Sequence, residues 1–128
     1  MNERDLIHDW NEAGERWGKP PFRIQFDDET LRDGLQSPSV RTPSIDEKLR
    51  ILHLMERLGI DSADIGLPGA GPHVVRDVLR LAQEIAGSKL KIQANCAART
   101  LRQDITPVIE ISQKAGIPIE VCTFIGSS

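Results

Sequence analysis

Asp28-Glu29-Thr30-Leu31-Arg32-Asp33-Gly34-Leu35-Gln36 is the stretch from which the fold is read. It sets three carboxylates, an arginine and a glycine directly behind a short alternating segment. There Phe22, Ile24 and Phe26 alternate with Arg23 and Gln25, the period-2 pattern of a half-buried strand. A strand that stops abruptly in these residues carries their charge at its carboxyl end. In parallel α/β folds that end is where ligands and metals bind. An isolated Arg-Asp-Gly reads more readily as a solvated turn; the longer string behind a strand is more specific.

Moving outward, the chain repeats one theme. Ser44-Ile45-Asp46-Glu47 is a capping box, Ser at the cap and Glu three residues on. Ile45, Leu49, Leu52, Met55 and Leu58 follow at helical spacing, and Gly59 suits the stop. Ser62 to Gly66 reads as a short second strand, followed by a loop with Pro68, Gly69, Gly71 and Pro72. A second helix carries Val75, Val78, Leu79, Ala82 and Ile85 and is closed by Gly87. Leu90, Ile92 and Ala94 alternate in a third strand. Thr100 or Asp104 caps a third helix with Ile105, Val108, Ile111 and Ala115 on its apolar face and Gly116 behind it. The β-branched segment Ile117 to Ile125 reads as a fourth strand. Strand-helix alternation calls for a parallel sheet with right-handed crossovers. The repeat of about 30 residues fits one eighth of a (β/α)8 barrel and fits a doubly wound sheet as well.

Composition bounds the function. With 39% hydrophobic and 27% charged residues in 128, the chain reads as one soluble globular unit rather than a disordered segment. Sixteen basic and nineteen acidic residues leave a net charge of −3, and the basic residues are scattered. That argues against nucleic acid or an anionic membrane surface as partner. The polar start Met1-Asn2-Glu3-Arg4-Asp5 carries no secretory signal, and no apolar run approaches a membrane span, so a cytoplasmic location is expected. Cys96 and Cys122 lack metal-type or disulfide spacing and read as reduced, small buried residues on strands.

The Arg-Asp-Gly-x-Gln run resembles the first-strand signature of the metal-dependent acyltransferases and lyases related to 2-isopropylmalate synthase, homocitrate synthase and hydroxymethylglutaryl-CoA lyase. Asp64-Ile65-Gly66-Leu67-Pro68 resembles their second-strand Glu-x-Gly-x-Pro, with aspartate a methylene shorter than the usual glutamate. Arg99 and Asp104 match an Arg and Asp after strand three, and Phe124 to Ser128 is similar to a Phe-Ile-x-Thr-Ser ending strand four. The resemblance runs from about Phe22 onward. It implies a TIM barrel, here the N-terminal half with about strands one to four over residues 22–128. Residues 1–21 form an extension in which Leu6, Ile7, Trp10 and Ala13 lie on one helix face.

By the same resemblance, Asp33 is a ligand of a divalent metal (Mg²⁺, Mn²⁺ or Zn²⁺) and Arg32 the electrophilic catalyst, with Asp28 or Asp64 as ion partner. Gly34 permits a turn that brings backbone near the metal. Gln36 and Asp64 contact substrate, Arg99 holds a substrate carboxylate, and Thr123 and Ser127 donate hydroxyls at the mouth. The alternative use of Arg99 is a surface ion pair. The family's histidine ligand pair has no counterpart: His8, His53 and His73 form no His-x-His, His53 reading as surface and His73 as lying near the mouth. The implied reaction is a Claisen condensation of acetyl-CoA with a 2-oxoacid to a 2-alkylmalate, as in leucine biosynthesis, by an enzyme that is a homodimer when intact. Leu35 before Gln36 looks instead like the lyases, where hydroxymethylglutaryl-CoA is cleaved. A third reading is a non-catalytic half-barrel that pairs with another chain.

Overall fold

The computed structural model describes residues 21–126. The helix face of Leu6, Ile7, Trp10 and Ala13 lies outside these residues, as do His8 and Ser127. Among the described residues there are four strands: β1 (Asp27–Asp28), β2 (Ser62–Asp64), β3 (Gln93–Arg99) and β4 (Ile119–Phe124). Between them run α1 (Ile45–Leu58), α2 (Pro72–Gly87) and α3 (Arg102–Ala115). All neighbouring strands pair in parallel, in the order β1-β2-β3-β4. This order separates the two architectures that periodicity left open. A doubly wound sheet reverses direction at its switch point. Here every crossover steps the same way, and right-handed crossovers then lay all three helices on one face. The result is an α/β fold consistent with the N-terminal half of a (β/α)8 barrel.

Side chains alternate across the sheet accordingly. Ala63, Ile65, Ala94, Cys96 and Ala98 are buried toward the helices, where Leu52, Met55, Val78, Leu81, Ala82, Ile85, Val108 and Ile111 meet them. Each large aliphatic buried this way contributes roughly 1.5–3 kcal/mol, so this layer holds the fold together. The opposite face carries Gln93, Glu120, Cys122 and Phe124, all exposed. That corrects the expectation for the thiols: Cys96 is buried, but alternation turns Cys122 outward.

Local signals place most helix ends. The Glu47 N–H donates to Ser44 Oγ (3.3 Å) and Glu47 Oε2 accepts from the Ser44 N–H (2.7 Å), the capping box of α1. Gly59 and Gly116 end α1 and α3 in the left-handed conformation, at φ 86° and 72°. Three expectations need correction. After α2 the left-handed residue is Lys89 (φ 53°), not a glycine. Neither Thr100 nor Asp104 caps α3; Leu101 stands at the cap and Asp104 lies in the first turn, engaged by Arg99. Leu58, at the end of α1, is exposed.

Two strands also differ from their sequence patterns. The Phe22–Phe26 segment is not part of β1, and Phe22, Ile24 and Phe26 are 71%, 55% and 63% exposed. β1 pairs with β2 alone, and the apolar side chains before it meet no covering layer among the described residues. Only polar ties hold this lead-in: Arg23 pairs with Asp61, and the Phe26 N–H donates to Asp61 Oδ2 at 3.0 Å. β3 begins after Ile92 and runs through Ala94-Asn95-Cys96-Ala97-Ala98, every one buried. The helices cover one face; on the other, Asn95 is tied to Asp27 through its Nδ2 (2.7 Å) and Ala97 is small, so both are buried and the two-residue alternation is lost.

Candidate active site at the ends of β1 and β2

The loop after β1 is a tight turn that aims Arg32 at β2. Asp28 Oδ1 accepts the Thr30 N–H (2.8 Å), and the Glu29 carbonyl accepts the N–H groups of Arg32 and Gly34 (3.1 Å each). Leu31 is buried in the core and pins the loop, which continues into a 3-10 turn over Gly34–Gln36. Arg32 Nε donates to Asp64 Oδ2 (3.0 Å), Nη1 to Asp33 Oδ1 (3.0 Å) and Nη2 to Glu29 Oε2. Asp28 turns its carboxylate to the backbone and is not an ion partner of Arg32, as one alternative had it.

Asp64, the last residue of β2, is only 2% exposed. Its Oδ1 accepts the Gly66 N–H at 3.0 Å. Gly66 has φ 146°, and a Cβ there would stand 2.6 Å from Val78 Cγ2, so glycine is required both by backbone angle and by space. Burial pushes the Asp64 carboxyl above its ordinary pKa, while the Gly66 N–H and the Arg32 guanidinium pull the other way. Burial works against the charge on Arg32, yet hydrogen bonding and attraction from Asp64, with Glu29 and Asp33, raise its pKa. The guanidinium is therefore permanently charged and surrounded by three carboxylates.

Gln36 is exposed and lines a cavity of about 260 Å³ with Arg32, Leu35, Leu67 and His73. Lys48 of α1 and Asp77 of α2 close one wall through an ion pair of 2.7 Å. Sequence reading missed Glu29 and this Lys48–Asp77 pair. Glu29 was visible in principle as an (i, i+3) partner of Arg32; Lys48 and Asp77 meet only through helix packing. Gly34 is not left-handed, and a Cβ there would have only ordinary contacts from 3.8 Å outward, so the turn does not require its glycine.

The remaining expected site residues lie elsewhere. Arg99, at the end of β3, places Nε 2.7 Å and Nη2 2.9 Å from the two oxygens of Asp104. Thr123 is exposed on β4 and pairs in register with Ala98, on the pleat face opposite Cys122. His53 pairs with Glu84 on the helix layer (3.0 Å). Arg32, Asp33 and Asp64 are thus brought together with Gln36 beside them, while Arg99 and Thr123 do not join them.

Among the described residues no helix is long and apolar enough to cross a membrane, and no group of three or more His, Cys, Asp or Glu is arranged to hold a metal.

The chain is similar to several enzymes named 2-isopropylmalate synthase. That of Syntrophus aciditrophicus (strain SB) is 39% identical over 110 residues, covering 85% of this chain and 20% of the relative. That of Synechococcus sp. (strain CC9605) is 40% identical over 87 residues, covering 68% and 16%. That of Thermosynechococcus vestitus is 37% identical over 106 residues, covering 83% and 19%. The chain thus spans a fifth or less of these relatives' length. The model of the HMGL-like family matches residues 23–128, the whole of the sheet, its helices and the Arg32 cluster; this chain belongs to the HMGL-like family.

Proposed function

We propose that residues 22–128 are the N-terminal half of the catalytic barrel of a 2-isopropylmalate synthase-like acyltransferase, preceded by an extension over 1–21. The observation that carries this reading is the Arg32 cluster. A charged fork is held by Glu29, Asp33 and Asp64 at the carboxyl ends of β1 and β2, in a chain whose relatives bear that enzyme's name. Acetyl-CoA and a 2-oxoacid are the substrates, and the intact enzyme is a cytoplasmic homodimer.

Removal of a proton from the acetyl methyl group yields a carbanion that attacks the keto carbon of the 2-oxoacid. The keto oxygen takes the electron pair and becomes an alkoxide. Arg32 has five N–H donors, of which three are engaged by carboxylates, and the two remaining ones are left to donate to that oxygen. Glu29, Asp33 and Asp64 hold the fork still, so little reorganisation accompanies the charge shift. The alkoxide is protonated, and water cleaves the thioester to give free thiol and a 2-alkylmalate. Gln36 offers an amide to the substrate at the rim of the cavity.

Three carboxylates around one guanidinium leave an acidic surplus that suits a divalent cation. Asp33 fits one position in such a site: its carboxylate is exposed, a hard oxygen donor, and Oδ2 is not used by Arg32. Asp33 would be one ligand of such an ion. When bound, a divalent metal would polarise the keto group of the 2-oxoacid.

Arg32→Ala in the intact protein is the test. Turnover should fall by at least about 10²- to 10³-fold, the usual loss on removing a donor to a developing oxyanion. An unimpaired rate would sink the assignment. A lyase acting on a hydroxyacyl-CoA is the second reading, favoured by Leu35, an apolar residue lining the cavity where many synthases have glutamate. Thiol release from acetyl-CoA with 2-oxoacids, compared with cleavage of hydroxymethylglutaryl-CoA, separates the two.

A further inference from the structure

Asp104 is a buried charge with no part in the proposed chemistry. It is 2% exposed and lies in the first turn of α3, where the helix dipole favours a carboxylate. Arg99 holds it with three N–H groups: the backbone N–H (3.2 Å) and Nε (2.7 Å) on Oδ2, and Nη2 (2.9 Å) on Oδ1. The Arg99 hydrogen bond pulls the Asp104 pKa down, against the effect of burial, so the pair stays ionised.

The other side of this carboxylate is closed by Gly69. A Cβ at Gly69 would stand 2.6 Å from Asp104 Cγ and 2.8 and 2.9 Å from its oxygens. Gly69 is not left-handed, so close approach rather than backbone angle requires the missing side chain. The 3-10 turn Pro68–Ala70 therefore lies flat on the Arg99–Asp104 pair. This turn is the direct continuation of Asp64 and Gly66. The Gly66 N–H orients Asp64 Oδ1, and its carbonyl accepts the Ala97 N–H of β3 at 3.2 Å. Asp64 in turn orients Arg32.

We infer that Arg99 and Asp104 are positioning residues: a closed ion pair that serves as the seat of the β2–α2 turn and so sets the placement of Asp64 and Arg32. The Arg99 fork is committed to a protein carboxylate rather than to a substrate's. The inference rests on the proposed function for its kinetic consequence, but not for its structural one.

Gly69→Ala in the intact protein is the deciding variant, because it lifts the turn off the pair without altering any charge. Its kcat should fall about 10- to 100-fold, the range expected when reacting groups are displaced by about 1 Å. KM for the 2-oxoacid should stay within about twofold, since no substrate contact is removed. Arg99→Lys, which keeps the charge and loses the fork, should move kcat the same way. Unchanged kcat in Gly69→Ala overturns the inference, and so does a KM rise of tenfold or more with kcat preserved in Arg99→Lys. Amide exchange at Ala70 and Gly71, whose N–H groups bond the Leu67 and Pro68 carbonyls, needs no activity. It should quicken about tenfold or more in both variants as the turn loses its seat; unaltered exchange also overturns the inference. Wild-type protein that condenses nothing would break the functional reading alone, and amide exchange would still judge the pair.

Discussion

Arg32 and Arg99 both sit at the carboxyl end of the sheet and both fork onto carboxylates, but the charge around them does not match. Arg32 faces Glu29, Asp33 and Asp64, two of them well exposed, and keeps two N–H groups unspent. Arg99 meets one carboxylate, and Asp104 is buried. A guanidinium paired one to one cancels its own field and fixes a shape. A guanidinium outnumbered three to one leaves net negative charge at the mouth, which attracts a cation while the fork stays rigid. The first arrangement suits a scaffold and the second a site.

The largest effect expected from breaking this contrast is that of Arg32→Ala. Besides the loss of turnover, it leaves Asp64 buried without its partner, which costs on the order of 3 kcal/mol. The expected sign with pH is definite. Burial raises the folded-state pKa of Asp64 above its ordinary value. Losing Arg32 removes a lowering influence and raises it further; the neutral carboxyl tolerates burial, so the deficit is largest above the variant's pKa and shrinks as pH falls through it. Thermal melts across pH would show it, and a pH-independent deficit would mean that Asp64 does not depend on Arg32. Arg32→Lys should preserve most of the stability and still lose turnover.

Asp33→Asn probes the surplus charge itself. Mn²⁺ affinity, read by calorimetric titration of the intact protein, should drop at least about tenfold, since affinity follows the charge count of hard oxygen ligands. Stability should barely move, because Asp33 is exposed. Asp104→Asn is the mirror experiment. It should cost about 1–3 kcal/mol in a thermal melt, the range for a buried hydrogen-bonding partner removed, and leave Mn²⁺ affinity as it was. If the two variants exchanged behaviours, the contrast would fail.

The smallest expected effect comes from a closed cluster on the helix layer. Ser88, His53 and Arg80 hold the Glu84 carboxyl down at about 2. A carboxyl with lowered pKa contributes stability above its ordinary value, 4.5, and loses it as pH falls toward 2. Glu84→Gln should flatten the acid limb of the stability curve over that window and leave the neutral region nearly unchanged. A limb of undiminished slope would show that other carboxylates carry it.

Local chemistry was enough to read a good part of this molecule. The capping box at Ser44, the left-handed stops at Gly59 and Gly116 and the strand-helix alternation each depend on residues a few positions apart. Short-range patterns failed where burial depends on neighbours. Phe22, Ile24 and Phe26 alternate like a buried face yet stay exposed before an edge strand, and β3 is buried on both faces without alternating. The register of β4 likewise set Cys122 and Thr123 on opposite faces.

The remaining features come from contacts between distant segments, which no window along the chain contains. Strand order follows from where each crossover lands, and it separated the barrel topology from the doubly wound one. Arg32 finds Asp64 32 residues on, Lys48 finds Asp77 29 residues on, and the turn at Gly69 rests on a carboxylate of a helix that begins beyond the next strand. Residue types made these meetings chemically favourable. Packing of the strands and helices against each other made them happen, because it alone sets which charges share a neighbourhood.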